Sequence, residues 1–129
     1  MAGTVTFAHY IDGGLKKVVA TCTGDASDGS YPATALPSIS GKLIGLETNP
    51  GSTGPTANYD ITLPDDDGLD RLQGKGANRH TSNSEYESIL IGATAEHPPA
   101  AKGDTLTLTL TNNSVNEAVV VVTLYYEAL

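Results

Sequence analysis

The chain has 129 residues, which is enough for one domain with a core that needs no metal or disulfide to hold it. Seven Lys and Arg side chains against fifteen Asp and Glu give a net charge of −8, which disfavours binding to nucleic acid or to an anionic membrane surface. The single cysteine, Cys22, can form neither an internal disulfide nor a Cys-rich zinc site. With no leader-like start and no apolar run of about 20 residues, we expect a soluble protein made in a reducing cytoplasm.

The first elements are two short β-strands joined by a tight turn. Residues 4–10 alternate between two faces, as a strand does, and residues 15–23 are expected to form the second strand. Between them, Asp12-Gly13-Gly14 supplies the residues that a hairpin turn needs. One face of the second strand is small and apolar, and it consists of Val18, Ala20 and Cys22. The pattern predicts a β-hairpin.

Two more strands are predicted in the middle of the chain, separated by loops. Residues 24–37 have no periodic apolar face, which predicts a long surface loop. A third strand is expected at residues 39–47, and the proline in Asn49-Pro50-Gly51 should stop it. A fourth is expected at residues 58–63, where one face is apolar: Tyr59, Ile61 and Leu63.

The segment that follows is acidic and then rich in glycine. Residues 64–79 should form a surface loop, with at most one short helical turn around residues 68–72. Residues 84–91 are ambiguous, because Ser84 and Glu87 have the spacing of a helix capping box while the apolar residues after them suit a buried strand. We favour the strand.

The last third of the chain holds the clearest strand. Residues 105–111 alternate leucine and threonine without exception, residues 112–116 make a turn, and residues 118–126 return as a run that is apolar on both faces. Such a run is expected in a central sandwich strand or in one covered by another subunit. The sequence therefore predicts an all-β protein: one antiparallel two-sheet β-sandwich, jelly-roll-like, with about seven to eight strands and at most one short helix.

Residues that could carry chemistry are few and scattered. His9, His80 and His97 lie in three unrelated segments, and none has a neighbour at metal-ligand spacing. Cys22 shares a face with buried apolar residues, so we read it as a small core residue and not as a nucleophile. No nucleophile elbow, phosphate loop or dinucleotide fingerprint is present. We expect no enzymatic activity, no catalytic residue and no cofactor.

Carboxylates crowd at Asp65, Asp66, Asp67 and Asp70, just after Asp60. Such a cluster could hold Ca²⁺, but the spacing does not fit an EF-hand, so we expect the carboxylates to shape a turn without a required metal. A carboxylate pair for glycoside hydrolysis is a weaker alternative. A sugar cleft normally presents stacking rings, and this chain has no tryptophan and few other aromatic residues.

Two features suggest contact with other proteins. Tyr125 and Tyr126 end the last strand, so one of them must point away from the core and could anchor an interface. Residues 1–64 carry a net charge of −2, which leaves −6 for the remainder, and that acidic half would suit docking on a basic protein lattice. The apolar last strand and the tyrosine pair predict a homo-oligomer, and we expect a trimer.

The block from residue 59 to residue 79 has a distinctive pattern: a Tyr-Asp-aliphatic strand, an acidic Asp-Gly-x-Asp turn, and a Gly-x-x-Ala-Asn-Arg segment. In this block the chain resembles small virion structural proteins of tailed bacteriophages. Looser agreement extends over most of the chain, for example at Thr23-Gly24-Asp25 and at the closing Leu124-Tyr125-Tyr126.

The resemblance implies a non-enzymatic virion protein, most simply a head decoration or cement protein bound to the major capsid protein on the capsid surface. The alternative is a tail or fibre-associated β-sandwich that binds a host-surface glycan or protein. Within the matched block, three basic side chains interrupt the acidic half, and we expect them to contribute to the docking surface: Arg71, Lys75 and Arg79.

Overall fold

The computed structural model describes residues 1–90 and 105–127, together with the backbone of Pro99–Ala100. Nine β-strands form within these residues, and no described residue lies in a helix. The strands are β1 (Thr4–Tyr10), β2 (Leu15–Thr23), β3 (Thr34–Ala35), β4 (Gly41–Pro50), β5 (Asp60–Thr62), β6 (Glu85–Ser88), β7 (Pro99–Ala100), β8 (Thr107–Thr111) and β9 (Val119–Glu127). The predicted all-β sandwich is confirmed, while its likeness to a jelly roll stays a prediction.

The strands form two antiparallel sheets. The larger sheet has the order β1-β2-β9-β4-β6, with β7 also pairing with β4, and the smaller sheet has the order β3-β8-β5. The core combines apolar side chains from both sheets, such as Val18 and Leu124 of the larger and Ile61 and Leu108 of the smaller. In the part of the chain that the structure describes, no helix is long and apolar enough to cross a membrane.

The predicted hairpin is confirmed at both ends. β1 and β2 pair from Thr4↔Thr23 to Tyr10↔Lys17 without a register shift, and Gly13 adopts the positive φ of 81° that the turn needs. Side chains on one face of β2 are buried as expected: Val18, Ala20 and Cys22. The sequence pattern predicted this hairpin correctly because β1 and β2 are neighbours in the chain and pair through a short turn.

The expected end of the third strand was wrong. β4 continues through Asn49 and ends at Pro50, whose register partner is Val120 of β9. Gly51 N donates to Val119 O at 2.7 Å, so by the alternation of the ladder the nitrogen of Pro50 points the other way, toward β6. Because β6 pairs with β4 only as far as Thr48, the missing N–H of proline costs no sheet bond.

The predicted surface loop at residues 24–37 is corrected in part. Thr34 and Ala35 form the short strand β3 against β8. Tyr31 is buried, and its hydroxyl donates to Ala118 O at 3.0 Å. These contacts join residues far apart in the chain, which a search for local periodicity does not detect.

The remaining strands are confirmed with shorter bounds. The fourth contracts to β5, although all three predicted side chains are buried: Tyr59, Ile61 and Leu63. Residues 105–111 contract to β8, and the ambiguous residues 84–91 include β6, while Ile91 lies outside the described residues. The helical turn considered around residues 68–72 is instead a series of hydrogen-bonded turns.

β9 is the central strand of the larger sheet, between β2 and β4, as its two-sided apolar sequence predicted. One face lies in the core and carries Val120, Val122, Leu124 and Tyr126. The opposite face carries Val121, Thr123 and Tyr125, which belong to the outer surface of the sheet.

Candidate interaction surface

The outer face of the larger sheet gathers aromatic and apolar side chains around Tyr125. We call this surface the Tyr125 face, and it consists of Tyr10, Leu15, Lys17, Ile44, Glu47, Tyr86 and Tyr125. These residues come from five different strands, and the register places Lys17 opposite Tyr125 and Tyr86 opposite Glu47. The face is therefore assembled by sheet pairing between distant parts of the sequence.

Tyr125 and Tyr126 divide as the sequence predicted. Tyr126 is 2% exposed and contacts His9, whose Nε2 lies within hydrogen-bond distance of the phenol oxygen. Tyr125 is half-buried on the outer face, and its hydroxyl donates to Glu47 Oε1 at 2.9 Å. This hydrogen bond is the main cause that raises the pKa of Tyr125.

Tyr86 is one of the most exposed large side chains on the face. Its ring centroid lies 6.2 Å from that of Tyr125, with the two ring planes inclined by 52°. The ring lies directly over Gly45, where a β-carbon would clash with it. The register of β4 shifts between Leu43 and Gly45, so a local bulge brings glycine to the position under the ring.

Tyr10 marks the other end of the Tyr125 face. Lys17 Nζ lies 5.0 Å from the centroid of the Tyr10 ring, in cation–π geometry. Two shallow depressions of about 300 and 330 Å³ adjoin here, and both are lined by Leu15 and Tyr125. Leu15 itself is 60% exposed. Exposed apolar and aromatic side chains that adjoin depressions in this way make the face a candidate contact surface.

The acidic turn is the second region that the sequence singled out. Asp65 Oδ1 accepts from the backbone N–H of Asp67 at 2.9 Å and of Leu69 at 3.0 Å, and Oδ2 accepts from Arg71 Nε at 2.8 Å. Burial alone would raise the pKa of Asp65, but the hydrogen bonds from Leu69, Arg71 and Asp67 together hold it below its ordinary value of 3.8. The carboxylate thus determines the shape of the turn.

Asp70 has a similar role on the opposite side of this turn. Its Oδ1 accepts from Leu63 N at 2.9 Å and from Leu72 N at 3.0 Å, and Oδ2 accepts from Gly74 N at 3.1 Å. Upstream, Asp60 Oδ1 accepts from Asn78 N at 2.9 Å. These carboxylates connect the turn to the strand before it and to the glycine-rich segment after it.

The three basic side chains predicted for docking are placed differently from one another. Arg71 forms an ion pair with Asp65, with 2.8 Å between Nη2 and Oδ2, and its side chain is 13% exposed. Arg79 lies 3.6 Å from Glu85 and 3.9 Å from Glu87. Lys75 forms no ion pair with a described residue and is half-exposed. The two arginines are held by their own chain, whereas Lys75 can reach a partner.

The histidines and the cysteine remain apart in the folded chain. His9 contacts Tyr126, His80 accepts from Asn83 N at 2.8 Å, and His97 lies outside the described residues. Cys22 is fully buried, and burial raises the pKa of its thiol to about 12. Among the described residues, no three or more His, Cys, Asp or Glu side chains cluster as a metal site would require.

Comparison with known proteins gives little further information. No protein-family model and no curated protein matches the chain. Among solved structures, the chain is similar to one titled "Cyanophage Pam1 capsid asymmetric unit", with 17% sequence identity, a TM-score of 0.37, and coverage of 100% of this chain and 88% of that chain. That TM-score is too low for the two chains to be taken as sharing a fold.

Proposed function

We propose that the chain is a non-enzymatic structural protein of a tailed-phage particle, and that it decorates and cements the head by binding the major capsid protein. The observation that carries this proposal is that one group of side chains stabilises the chain itself while another group is exposed to a partner. Asp65, Asp70 and Arg71 act within the chain's own structure, while exposed apolar side chains collect on the Tyr125 face. A protein that acts by binding needs both a stable structure and an exposed contact surface. The resemblance in residues 59–79 indicates that this protein acts in the virion.

The form of the molecule suits attachment in many copies. Strands of five to ten residues form most of the larger sheet and the middle strand of the smaller one. The side chains on the faces of these sheets are therefore held on a rigid backbone. When many identical small proteins each bridge neighbouring capsid subunits, each contact can be weak. Together these contacts help the capsid to resist the pressure of the DNA inside it. The net charge of −8 keeps such a protein soluble before assembly.

The Tyr125 face is our candidate for contact between copies in the expected trimer. Tyr125 of β9, one of the residues that suggested an oligomer in the sequence, lies on this face, and Val121 belongs to the same outer side of the sheet. Its exposed apolar members are Tyr10, Leu15 and Tyr86. The acidic turn, through Lys75, remains the candidate for contact with the lattice.

The alternative role, binding of a host-surface glycan by a tail or fibre protein, is less well supported by the geometry of the tyrosines. Sugar rings stack best on open, parallel aromatic faces. Here the rings of Tyr86 and Tyr125 are inclined by 52°, and the ring of Tyr10 is already contacted by Lys17. The face is better suited to a protein surface, whose side chains can fill depressions of irregular shape.

Copy number per particle tests the proposal. Purified particles of the phage that encodes the chain would be analysed by quantitative mass spectrometry, with the major capsid protein as the internal standard. A decoration protein should be present in hundreds of copies and should be removable without loss of the tail. A value of a few to dozens would favour the tail or fibre role, and absence from the particle would reject both.

A further inference from the structure

Within the described residues, β1 forms an edge of the larger sheet. Among the described residues, this strand pairs with β2 alone, and the pairing runs unbroken through all seven residues, Thr4–Tyr10. The strand contains no Asp, Glu, Lys, Arg, Pro or Gly. Natural proteins usually protect an exposed edge with a charge, a proline or a bulge, because its unpaired backbone groups are a template for another strand. β1 has none of these protections.

The hydrogen-bond alternation shows which backbone groups are unpaired. Gly51 N donates to Val119 O at 2.7 Å and Val119 N donates to Thr53 O at 2.8 Å, so Val119 directs its backbone toward β4. Val120 therefore directs its backbone toward β2, where it faces Cys22. The same alternation continues from β2 to β1. The backbone N–H and C=O groups of Val5, Phe7 and His9 therefore point away from β2 and out of the sheet.

The side chains of the same three residues are incompletely covered. Val5, Phe7 and His9 line the inner face of β1 and are each half-buried, and Val5 and Phe7 pack against the core. One more strand beside β1 would extend the sheet and place its own alternate side chains next to this row. The strand that fits is therefore extended and apolar at every second position.

The distribution of charge distinguishes this edge from the rest of the molecule. Residues 1–23 hold Lys16 and Lys17 against Asp12, a net charge of +1, whereas the remaining residues carry −9. Lys17 lies against Tyr10, at one end of the β1 edge. A partner strand that is neutral along its length and acidic at the Tyr10 end matches this pattern.

We infer that the β1 edge is a strand-addition site, and that its occupant is an extended segment of the capsid protein with the chemistry just described. This inference rests on the proposed attachment to the capsid and names a second part of the chain, besides the acidic turn, that contributes to the contact. Backbone hydrogen bonds would supply affinity and the row formed by Val5, Phe7 and His9 would supply selectivity, as in other complexes formed by strand addition.

Hydrogen exchange measures the pairing directly. The chain would be added to particles that lack it, and amide exchange of the bound protein would be compared with that of the free protein by mass spectrometry. We expect protection in the peptide that contains Val5, Phe7 and His9. Binding without that protection overturns this inference and leaves the proposed function standing, whereas failure to bind overturns both.

Three variants separate the edge from the rest of the sheet. Val5→Pro removes one outward N–H without removing a bond to β2, so we expect the fold to be kept, with some loss of stability because Val5 packs on the core. Occupancy should fall about tenfold, the factor that loss of one good hydrogen bond gives. Thr6→Lys places a charge on the edge strand, and Thr21→Lys places the same charge on the register partner one strand further in. Only the first of these two lysine variants should weaken binding.

Three outcomes would overturn the assignment. Wild-type occupancy of Val5→Pro would show that the edge is not used. Equal losses for Thr6→Lys and Thr21→Lys would assign the contact to the outer face of the sheet. Protection of β1 in the free protein that rises with protein concentration, together with a doubled mass, would make the occupant a second copy of this chain.

Discussion

The ring of Tyr86 lies on the backbone of Gly45, in the space that any larger residue's β-carbon would occupy. The two residues are on neighbouring strands, since Gly45 of β4 is the register partner of Ser88 in β6. Gly45 also faces Tyr125 of β9 on its other side. The missing side chain of Gly45 therefore lets the ring of Tyr86 lie close against the sheet, beside the ring of Tyr125.

This relationship predicts a coupled response to substitution. Gly45→Ala should destabilise the wild-type protein, because the ring of Tyr86 must move. In a Tyr86→Ala background, Gly45→Ala should be neutral or stabilising by about 0.5–1 kcal/mol, the usual benefit of alanine over glycine in a strand. A double-mutant cycle from denaturant unfolding measures the difference. Equal effects in both backgrounds would contradict the close packing of Tyr86 on Gly45.

The sequence predicted the hairpin of β1 and β2 and the buried faces of β2, β5 and β8 because their patterns are local. It did not identify Tyr10, Leu15 and Tyr86 as one surface. Those residues are brought together by the long-range pairings of β9 with β2 and of β4 with β6, and a single sequence carries no signal for sheet order. Only Tyr125 was found, through its alternation with Tyr126.

The acidic turn shows a different limit of prediction from the sequence. The sequence correctly predicted that Asp65 and Asp70 organise a turn, since aspartate readily accepts backbone hydrogen bonds two residues ahead. It treated Arg71 and Arg79 as cations available to a partner. Their ion pairs with Asp65 and with Glu85 and Glu87 depend on how the turn and β6 meet in space.

Asp65 should make stability depend on acidity. The pKa of its carboxyl is lowered in the folded protein, so its contribution is present above the ordinary value of 3.8 and is lost as the pH falls through and below that value. Asp65→Asn should therefore lower the melting temperature at pH 7, and the difference from wild type should shrink toward pH 3. Thermal unfolding across this range checks the trend.

Asp67→Asn is the matched control for that experiment. Asp67 lies in the same turn and is exposed, so it should show little effect at any pH. A difference between wild type and Asp65→Asn that stayed constant from pH 7 to pH 3 would contradict the assigned role. We also expect calcium and chelators to leave the melting temperature unchanged, and a shift that calcium restored would assign a metal to the turn.

Cys22 should be unreactive in the native protein. Its thiol pKa is about 12, so at pH 8 the reactive thiolate amounts to on the order of 1 in 10,000 molecules. A colorimetric thiol reagent should modify the protein only after denaturant is added, when one thiol per chain should react. Rapid modification of the native protein would show that β2 separates from the core on the time scale of the assay.

Lys75 is the basic residue with which to test docking by the acidic turn. Arg71→Glu would place a carboxylate against Asp65 and disturb the turn itself, so a loss of attachment could not be assigned to the interface. Lys75→Glu leaves those ion pairs intact and should reduce occupancy on particles without changing the melting temperature. Lys42→Glu, at an exposed position near the start of β4, is the matched control. Equal occupancy for the two variants would remove the turn from the docking surface.

The Tyr125 face should hold copies of the chain together. If it is the contact in the expected trimer, Leu15→Glu introduces a charge at its centre, between two depressions that a neighbouring chain would fill. Light scattering coupled to size exclusion should then show trimers for the wild type and monomers for the variant. Because Leu15 is 60% exposed in the single chain, the monomer should stay folded, with a melting temperature lowered only by the lost association between chains. Leu69→Glu is matched in residue type and is 55% exposed, but it lies in the acidic turn and should leave the trimer intact.

A wild-type monomer both in solution and on the particle would reject the trimer, and a trimeric Leu15→Glu would move the contact to another surface.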